Sequence, residues 1–487
     1  MQPQKTAGTL QGAPNVVVLV FDAMRKDVLP VYGGRGATPN LDRFCADSTA
    51  YPDCIAPSPW TIPSHTSLFT GKYPSEHGVH ETHDLKAQDL LGMQSAFRGE
   101  VLAETLKSKG YQTAGFPANP MLTLRPGFDR GFESFASHQG ALASPEDMAL
   151  LRSTFEEGKS KPALLWSLAR RGELGKAVRL LRAARRINMF RARSGYPRSK
   201  YGDLLVSKVK ETRLDPPFFL FANFMEMHDP YVGYELLPAN RGPFPTVGAA
   251  DLYGYKTIGE SDMAEISRGY YSNASTLDSY FGGFVAALKD KGVFNDTVFV
   301  VTSDHGQALK ERGYYGHGTF LHDEILRIPL IVRNRGGKKL ATGSGYQSLV
   351  NIPRFLIDVV EGGDGAGAIS SEAALAESFG TQQAPPAKAA SILAGKIDEV
   401  RKKVDRPLAA AYMGGFRLVA DLSTWDVEEF TRDGEPADRS EHRGELDAMV
   451  AELQKVRAAE TKVEKPEALL PEEESAVAER LRELGYL

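Results

Sequence analysis

The stretch Thr61-Ile-Pro-Ser-His-Thr-Ser-Leu-Phe-Thr-Gly71 begins on a threonine, turns through Pro63-Ser64 into apolar residues and closes on Thr70-Gly71. Pro-Ser before an apolar run suits a helix opening, because proline lacks the N–H that a first helical turn leaves unbonded and its φ is preset. Thr61 is therefore expected just before a helix N-terminus. Backbone N–H groups and the helix dipole favour an anion there. A threonine hydroxyl in that place can serve as an alcohol nucleophile once its proton is removed.

Outward from this segment, apolar runs end on polar residues. Asn15 to Phe21 is β-branched and apolar and ends at Asp22, the pattern of a central strand. Pro217 to Phe224 leads into Glu226 and His228, and Thr297 to Ser303 leads into Asp304 and His305. Tyr111 to Phe116 leads into Asn119. Open α/β sheets bind ligands at the C-terminal ends of their strands. Asp22, Asp304 and His305 are thus candidate metal ligands, with the Thr61 hydroxyl as a fourth. Carboxylates with an imidazole suit Zn²⁺ or Mn²⁺, and Ca²⁺ or Mg²⁺ less well.

Composition excludes several classes. The chain has 487 residues, 58 Lys+Arg against 62 Asp+Glu, and a net charge of −4, so no nucleic-acid binding is expected. Cys45 and Cys54 are its two cysteines, which requires no disulfide framework and fits a reducing compartment. Met1 to Ala13 lacks an apolar signal-peptide core, and Val16 to Phe21 is too short to span a membrane, so a cytoplasmic location is expected.

Between Arg170 and Lys200 the charged residues are basic except for Glu173, and Leu174, Val178, Leu181 and Ala184 recur at helical spacing. This reads as a basic helical insert spanning about 145–212. It is either a solvated cap with one face on the core or a contact for a polyanion or an acidic membrane surface. Glu361 to Ala390 is rich in Gly, Ala, Ser and Pro and reads as exposed connections, with a short ordered segment near Leu375 to Phe379. A strand-like run from Leu408 to Leu422 and helical patterns at Glu441 to Arg457 and Leu470 to Leu487 follow.

These residues carry a family resemblance. The Thr61–Gly71 segment is similar to the sulfatase signature Cys-x-Pro-Ser-Arg-x-x-Leu-x-Thr-Gly, with Thr61 for the cysteine that becomes formylglycine and His65 for the arginine. Cys54-Ile-Ala-Pro-Ser-Pro is out of register with that signature, and Cys54 is read as a small apolar residue. Asp22-Ala-Met-Arg-Lys-Asp27 with Tyr32-Gly33 and Thr38-Pro-Asn-Leu-Asp42 resembles the family's opening metal motif, and Ser303-Asp-His-Gly306 its second. Gly316-His-Gly318 before Arg327-Ile-Pro-Leu330, the segment Met225-Glu-Met-His-Asp-Pro-Tyr231, and the ending Leu481-Arg-Glu-Leu-Gly-Tyr-Leu487 also match family segments. The chain thus resembles the sulfatase family of the alkaline phosphatase superfamily.

The resemblance implies an α/β fold, a three-layer α/β/α sandwich of alkaline-phosphatase type around a mostly parallel sheet. It also implies a smaller C-terminal α+β subdomain, with the catalytic domain at 14–370 and the subdomain at 371–487. It implies metal ligation by Asp22, Asp304, His305 and Thr61, with Thr61 as nucleophile and His65 supporting it. His228 would assist the leaving group, His317 would stabilise charge in catalysis and bind substrate, and Asn119 would bind substrate. Ala23 stands where typical sulfatases have an aspartate that helps hold Ca²⁺, and His305 where they often have asparagine. With Thr61, these departures favour one Mn²⁺ or Zn²⁺ ion and hydrolysis of phosphate or related esters: phosphodiesters, phosphonates or phosphomonoesters. Glu226, His228 and His317 could help hold a second ion, but one is favoured. The substrate would be a small-molecule, lipid or glycan ester. The alternatives are sulfate-ester hydrolysis without formylglycine, transfer to an acceptor alcohol, and non-catalytic binding of a polyanion or lipid. His77, His80 and His83 are expected in loop packing, His322 could orient a neighbour, and Asp229 caps the turn at Pro230.

Overall fold

The computed structural model describes residues 12–81, 99–119, 121–124, 127–135, 200–231, 247–253, 257–381 and 396–460. Most of the basic insert, His83 and the Leu470–Leu487 pattern lie outside them.

Eleven strands make up or flank the large sheet: β1 (Asn15–Phe21), β2 (Thr49–Ile55), β3 (Gln112–Pro117), β4 (Ser134–Phe135), β5 (Phe218–Phe224), β6 (Thr297–Thr302), β7 (Ala308–Leu309), β8 (Tyr315–Gly316), β9 (Arg327–Arg333), β10 (Tyr346–Ser348) and β11 (Ser370–Ser371). Nine of them form one sheet in the order β11-β10-β2-β9-β6-β1-β5-β3-β4, and β7 and β8 pair separately. Strands β4, β3, β5, β1 and β6 run parallel, and β9 is antiparallel to both its neighbours β6 and β2.

The central strands are buried on both faces, which is why they are apolar without alternation. Successive side chains go to opposite layers. Val16, Val18 and Val20 join one core with Phe219, Phe221, Val298 and Val300. Val17, Leu19 and Phe21 join the other with Leu220, Phe224, Phe299 and Val301. Helices Thr61–Thr70, Leu102–Ser108 and Ile352–Val360 cover the first face through Leu68, Phe69, Leu106 and Phe355. The 31-residue helix Glu260–Asp290 covers the second through Tyr270, Leu277, Phe281 and Phe284. This is the three-layer sandwich expected from the sequence.

The remaining strands, β12 (Ala373–Ser378), β13 (Leu408–Met413), β14 (Phe416–Asp421), β15 (Val427–Arg432) and β16 (Glu435–Pro436), form an antiparallel sheet in that order. Helix Arg443–Ala458 packs on it through Leu446, Met449 and Leu453. The run Leu408 to Leu422 is a hairpin, turned at Gly414-Gly415, where both φ angles are positive. Glu361–Ala390 holds more order than its composition suggests: helix Ala366–Ile369, β11 and β12 all fall within it. Strand β12, the edge strand of this sheet, is small-residue-rich where Ala374 and Ala376 pack into the core of the large sheet.

Candidate active site and metal centre

Register brings the polar residues together. Phe21 of β1 lies opposite Phe224 of β5, and Val20 opposite Thr302 of β6, so Asp22, Met225 and Ser303 leave the sheet at one edge. There Asp22, Asp304 and His305 are fully buried, and one ligand atom from each lies within 4.8 Å of the others. The His305 Nε2 atom is 3.5 Å from Asp304 Oδ2 and 3.9 Å from Asp22 Oδ1. Its Nδ1–H donates to the Gly306 carbonyl at 2.8 Å, which leaves the Nε2 lone pair facing the carboxylates. Gly306 allows this crossing because a Cβ there would sit 2.2 Å from the Glu324 carbonyl oxygen.

Asp304 is held by two backbone donors, Ala23 N–H at 3.2 Å and His305 N–H at 2.9 Å, both on Oδ1. Ala23 adopts a left-handed φ of 60° to make its bond. Such strain costs on the order of 1–2 kcal/mol and concentrates at functional sites. Asn119 donates from Nδ2 to Asp22 Oδ2 at 2.7 Å, and its Oδ1 accepts from Met121 N–H at 2.9 Å. The amide expected to bind substrate thus uses one N–H to orient a carboxylate.

Thr61 is the first residue of its helix rather than the residue before it, with Trp60 as N-cap. Its Oγ1 is 3.4 Å from His305 Nε2. His65 lies one turn on. Its Nδ1–H donates to the Thr61 carbonyl at 3.0 Å and approaches Asp304 Oδ2 at 3.5 Å. Burial lowers its pKa to about 3, so the imidazole that meets the Thr61 carbonyl is neutral and brings no arginine-like charge.

Three imidazoles line the site in sequence. The His305 and His317 rings are 4.5 Å apart, and those of His317 and His228 are 4.9 Å apart. Burial lowers His305 to about 4 and takes His317 well below its usual range. His317 Nδ1 pairs with Gln307 Oε1 at 2.7 Å. His228 is different. Burial would lower it, but Asp229 outweighs that by accepting from Nδ1 at its carboxylate (3.0 Å) and its carbonyl (2.7 Å), and the pKa is raised. Asp229 therefore does more than cap a turn.

Comparison with known proteins now places the chain. The sequence profile of the sulfatase family, described as "Sulfatase", matches residues 14–362. The chain belongs to the sulfatase family. Among relatives, an arylsulfatase of Clostridium perfringens is 25% identical over 374 residues, covering 71% of this chain and 74% of the relative. A low-salt glycan biosynthesis sulfotransferase of Haloferax volcanii is 25% identical over 354 residues, covering 72% of this chain and 61% of the relative. In fold, the chain matches the phosphonate monoester hydrolase of Agrobacterium radiobacter with a TM-score of 0.57 at 17% identity, covering 91% of this chain and 95% of that one. Its relatives by sequence include sulfatases, and its likeness to the phosphonate monoester hydrolase is one of fold.

The sulfatase site suits a cation. Asp22 Oδ1 and Asp304 Oδ2 are buried with no hydrogen-bond partner, a costly arrangement unless something positive meets them. In the polypeptide alone, burial pushes Asp22 up to about 6, helped by Asp304, and pushes Asp304 up to about 7. The donor set of two carboxylates, one imidazole and an adjacent hydroxyl fits a divalent ion. Among the described residues this is the one group with metal-site spacing. Glu226 lies apart from it, its Oε1 accepting from Lys200 and Gly202 N–H at 2.9 and 3.0 Å.

A pH signature follows. An ion must displace the protons that Asp22 and Asp304 retain below about 6 and 7. The rise in Tm on adding Mn²⁺ or Zn²⁺ to stripped protein should therefore be small at pH 5 and grow through pH 7 to a plateau near pH 8. Differential scanning fluorimetry with and without metal at each pH checks it.

Of the weaker histidines, His77 bonds Ser67 Oγ at 3.1 Å and His80 stacks on Phe379, both in packing roles. His322 stacks on Phe320. Cys54 is buried in β2 as an apolar residue. Sequence reasoning missed Gln307, Lys200 and the His228–Asp229 pairing. Gln307 follows Asp304-His-Gly306 directly, so its place was visible, but its partner His317 is not a neighbour in sequence.

Proposed function

We propose that the chain is a metal-dependent hydrolase of phosphodiesters or phosphonate monoesters that works through a covalent intermediate on Thr61. The observation that carries this is the Thr61 hydroxyl, 3.4 Å from His305 Nε2 at the edge of the Asp22–Asp304–His305 cluster. Thr61 stands where the sulfatase signature has its formylglycine cysteine. Formylglycine hydrate expels sulfate by collapsing to an aldehyde, and a threonine has no such route. A threonine ester of phosphorus can instead be released by water.

Asp22, Asp304 and His305 would hold one ion, Mn²⁺ or Zn²⁺ by preference, with Thr61 Oγ1 beside it. When bound, that ion supplies Lewis-acid stabilisation of developing charge and lowers the pKa of the hydroxyl. Thr61 Oγ1 gives up its proton to solvent water and attacks phosphorus, and the bond from phosphorus to the leaving oxygen breaks. His228 is biased to its cation by Asp229 and delivers the Nε2 proton to that oxygen. Water then attacks phosphorus and returns a proton to His228, and Thr61 Oγ1 leaves and regains its own. Substrate atoms and protons balance as ester plus water to acid plus alcohol.

The charge complement supports a singly charged transferred group. Of the four histidines around the centre, His65, His305 and His317 are held neutral by burial, and His228 alone is biased to the cation. A phosphodiester or phosphonate monoester carries one negative charge, and a phosphate monoester two. Sulfate esters share the single charge, so Thr61 is what ranks them second. The sulfotransferase relative keeps one further outcome in view: an acceptor alcohol in place of water would make the same site a transferase.

No helix among the described residues is long and apolar enough to cross a membrane. Free, buried Cys45 and Cys54 support a reducing compartment such as the cytoplasm.

Steady-state turnover tests the proposal with bis(p-nitrophenyl) phosphate, p-nitrophenyl phenylphosphonate, p-nitrophenyl phosphate and p-nitrophenyl sulfate, each with Mn²⁺, Zn²⁺ and Ca²⁺. The expected result is a kcat/KM for the diester or the phosphonate about 10²-fold or more above that for the sulfate. Fastest turnover of the sulfate ester would overturn it.

A further inference from the structure

The His228 segment is a tight turn after β5, closed by the His228 N–H on the Met225 carbonyl at 3.0 Å. Its next carbonyls are each taken by a donor from elsewhere. The Met227 carbonyl accepts from Tyr231 Oη at 3.1 Å, and the Glu226 carbonyl accepts from Asn273 Nδ2 at 2.8 Å. The ammonium of Lys200 spans two of them, donating to the Glu226 carbonyl at 3.1 Å and to the His228 carbonyl. Its own N–H, with that of Gly202, is fixed on Glu226 Oε1. The Nζ atom also lies 5.5 Å from the centre of the Tyr231 ring.

Lys200 is 4% exposed, so its charge is out of water. A buried ammonium is expensive unless its donors are used. Burial lowers it to about 8, while Glu226, Asp229 and Asp22 pull upward, so it stays predominantly protonated at neutral pH. A lysine in an ordinary solvated basic face would not be placed this way. We propose that Lys200 is a positioning residue: its buried ammonium clasps the carbonyls of Glu226 and His228 and so fixes the turn that aims the His228 imidazole at the reaction centre.

The kinetic part rests on the proposed role of His228 in ester hydrolysis. Lys200→Met keeps the stem and removes the donors, and Lys200→Gln keeps an N–H donor on a shorter stem. Where His228 protonates the leaving oxygen, Lys200→Met should lower kcat/KM by about 10–100-fold on an alkyl ester. On a p-nitrophenyl ester, which needs little protonation, the loss should be a few-fold at most. Lys200→Gln should fall between. The losses from Lys200→Met and His228→Ala should not add in the double variant. Equal losses on both esters, or additive ones, would overturn the proposal.

A substrate-free readout separates this from the functional reading. In the full chain labelled with ¹³C-histidine, the His228 Cε1–H signal should be single and sharp, and should broaden or move in Lys200→Met. An unchanged signal overturns the positioning role even if no ester is turned over, whereas an inactive wild type with a changed signal counts against the reaction alone. If Lys200→Met does not fold, Lys200→Gln carries the same two readouts.

Discussion

Thr61→Ala should lower kcat/KM on the best diester or phosphonate by on the order of 10⁴-fold or more, with Tm nearly unchanged. Loss of a covalent nucleophile is among the largest single-residue effects in enzymes of this kind, because the remaining groups then act on a water that nothing positions. Stability should barely respond. Thr61 is the first residue of its helix, and alanine is at least as good a helix former. Its Oγ1 approaches His305 Nε2 only at 3.4 Å, a long contact whose loss costs little. Thr61→Ser keeps an alcohol and should retain activity within about 10–100-fold of wild type. Kinetics and thermal melts on the three proteins check this, and a Thr61→Ala enzyme with near-wild-type turnover would remove Thr61 from the chemistry.

Asp304→Asn should act in opposite directions on activity and on the stability of stripped protein. The asparagine Oδ1 can still accept from Ala23 and His305 N–H, so the backbone around the site keeps its bonds. What disappears is the buried charge. Asp304 has a folded pKa of about 7, above its ordinary value near 3.8, and the cause is burial. A raised carboxyl costs the fold nothing below the unfolded pKa. The cost grows as pH rises from about 4 to 7 and is complete above that. At pH 8, metal-free Asp304→Asn should therefore be more stable than metal-free wild type by roughly 1–3 kcal/mol. Activity should drop by about 10³-fold or more, and the Tm gain on adding metal should vanish, because one of two carboxylates that balance the ion is gone. Denaturant unfolding of stripped proteins at pH 5 and pH 8, with kinetics in metal, tests both signs.

The candidate site was legible in sequence because each component sits at the end of a local signal. Asp22, Asp304 and His228 follow buried apolar runs, and Thr61 opens a segment with its own helix-start chemistry. Parallel register then converts separate strand ends into one site, so no long-range knowledge was needed.

The rest depends on contacts between distant residues. Lys200 looked like one more member of a basic run, and only its burial under the His228 turn distinguishes it. Asn119 could be placed near the site, but its commitment to Asp22 could not be foreseen, since the two are 97 residues apart. The antiparallel direction of β9 is likewise invisible, because an apolar run reads the same either way. Strand β12 was underestimated for a related reason. An ordered segment was expected near Leu375 to Phe379, and the strand starts earlier, at Ala373, where Ala374 and Ala376 are small because they pack into the large core.

The most direct test of the account is the mass of the intact protein, quenched in acid after brief incubation with an aryl phosphonate or a diester, followed by peptide mapping. The expected gain is the mass of the substrate less its leaving alcohol, an aryl-phosphoryl group from a diester or a phosphonyl group from a phosphonate, confined to the peptide containing Thr61 and abolished in Thr61→Ala and in metal-stripped protein. A gain mapped to another residue, or a sulfuryl-sized gain on Thr61 from a sulfate ester with none from the phosphorus esters, would contradict it.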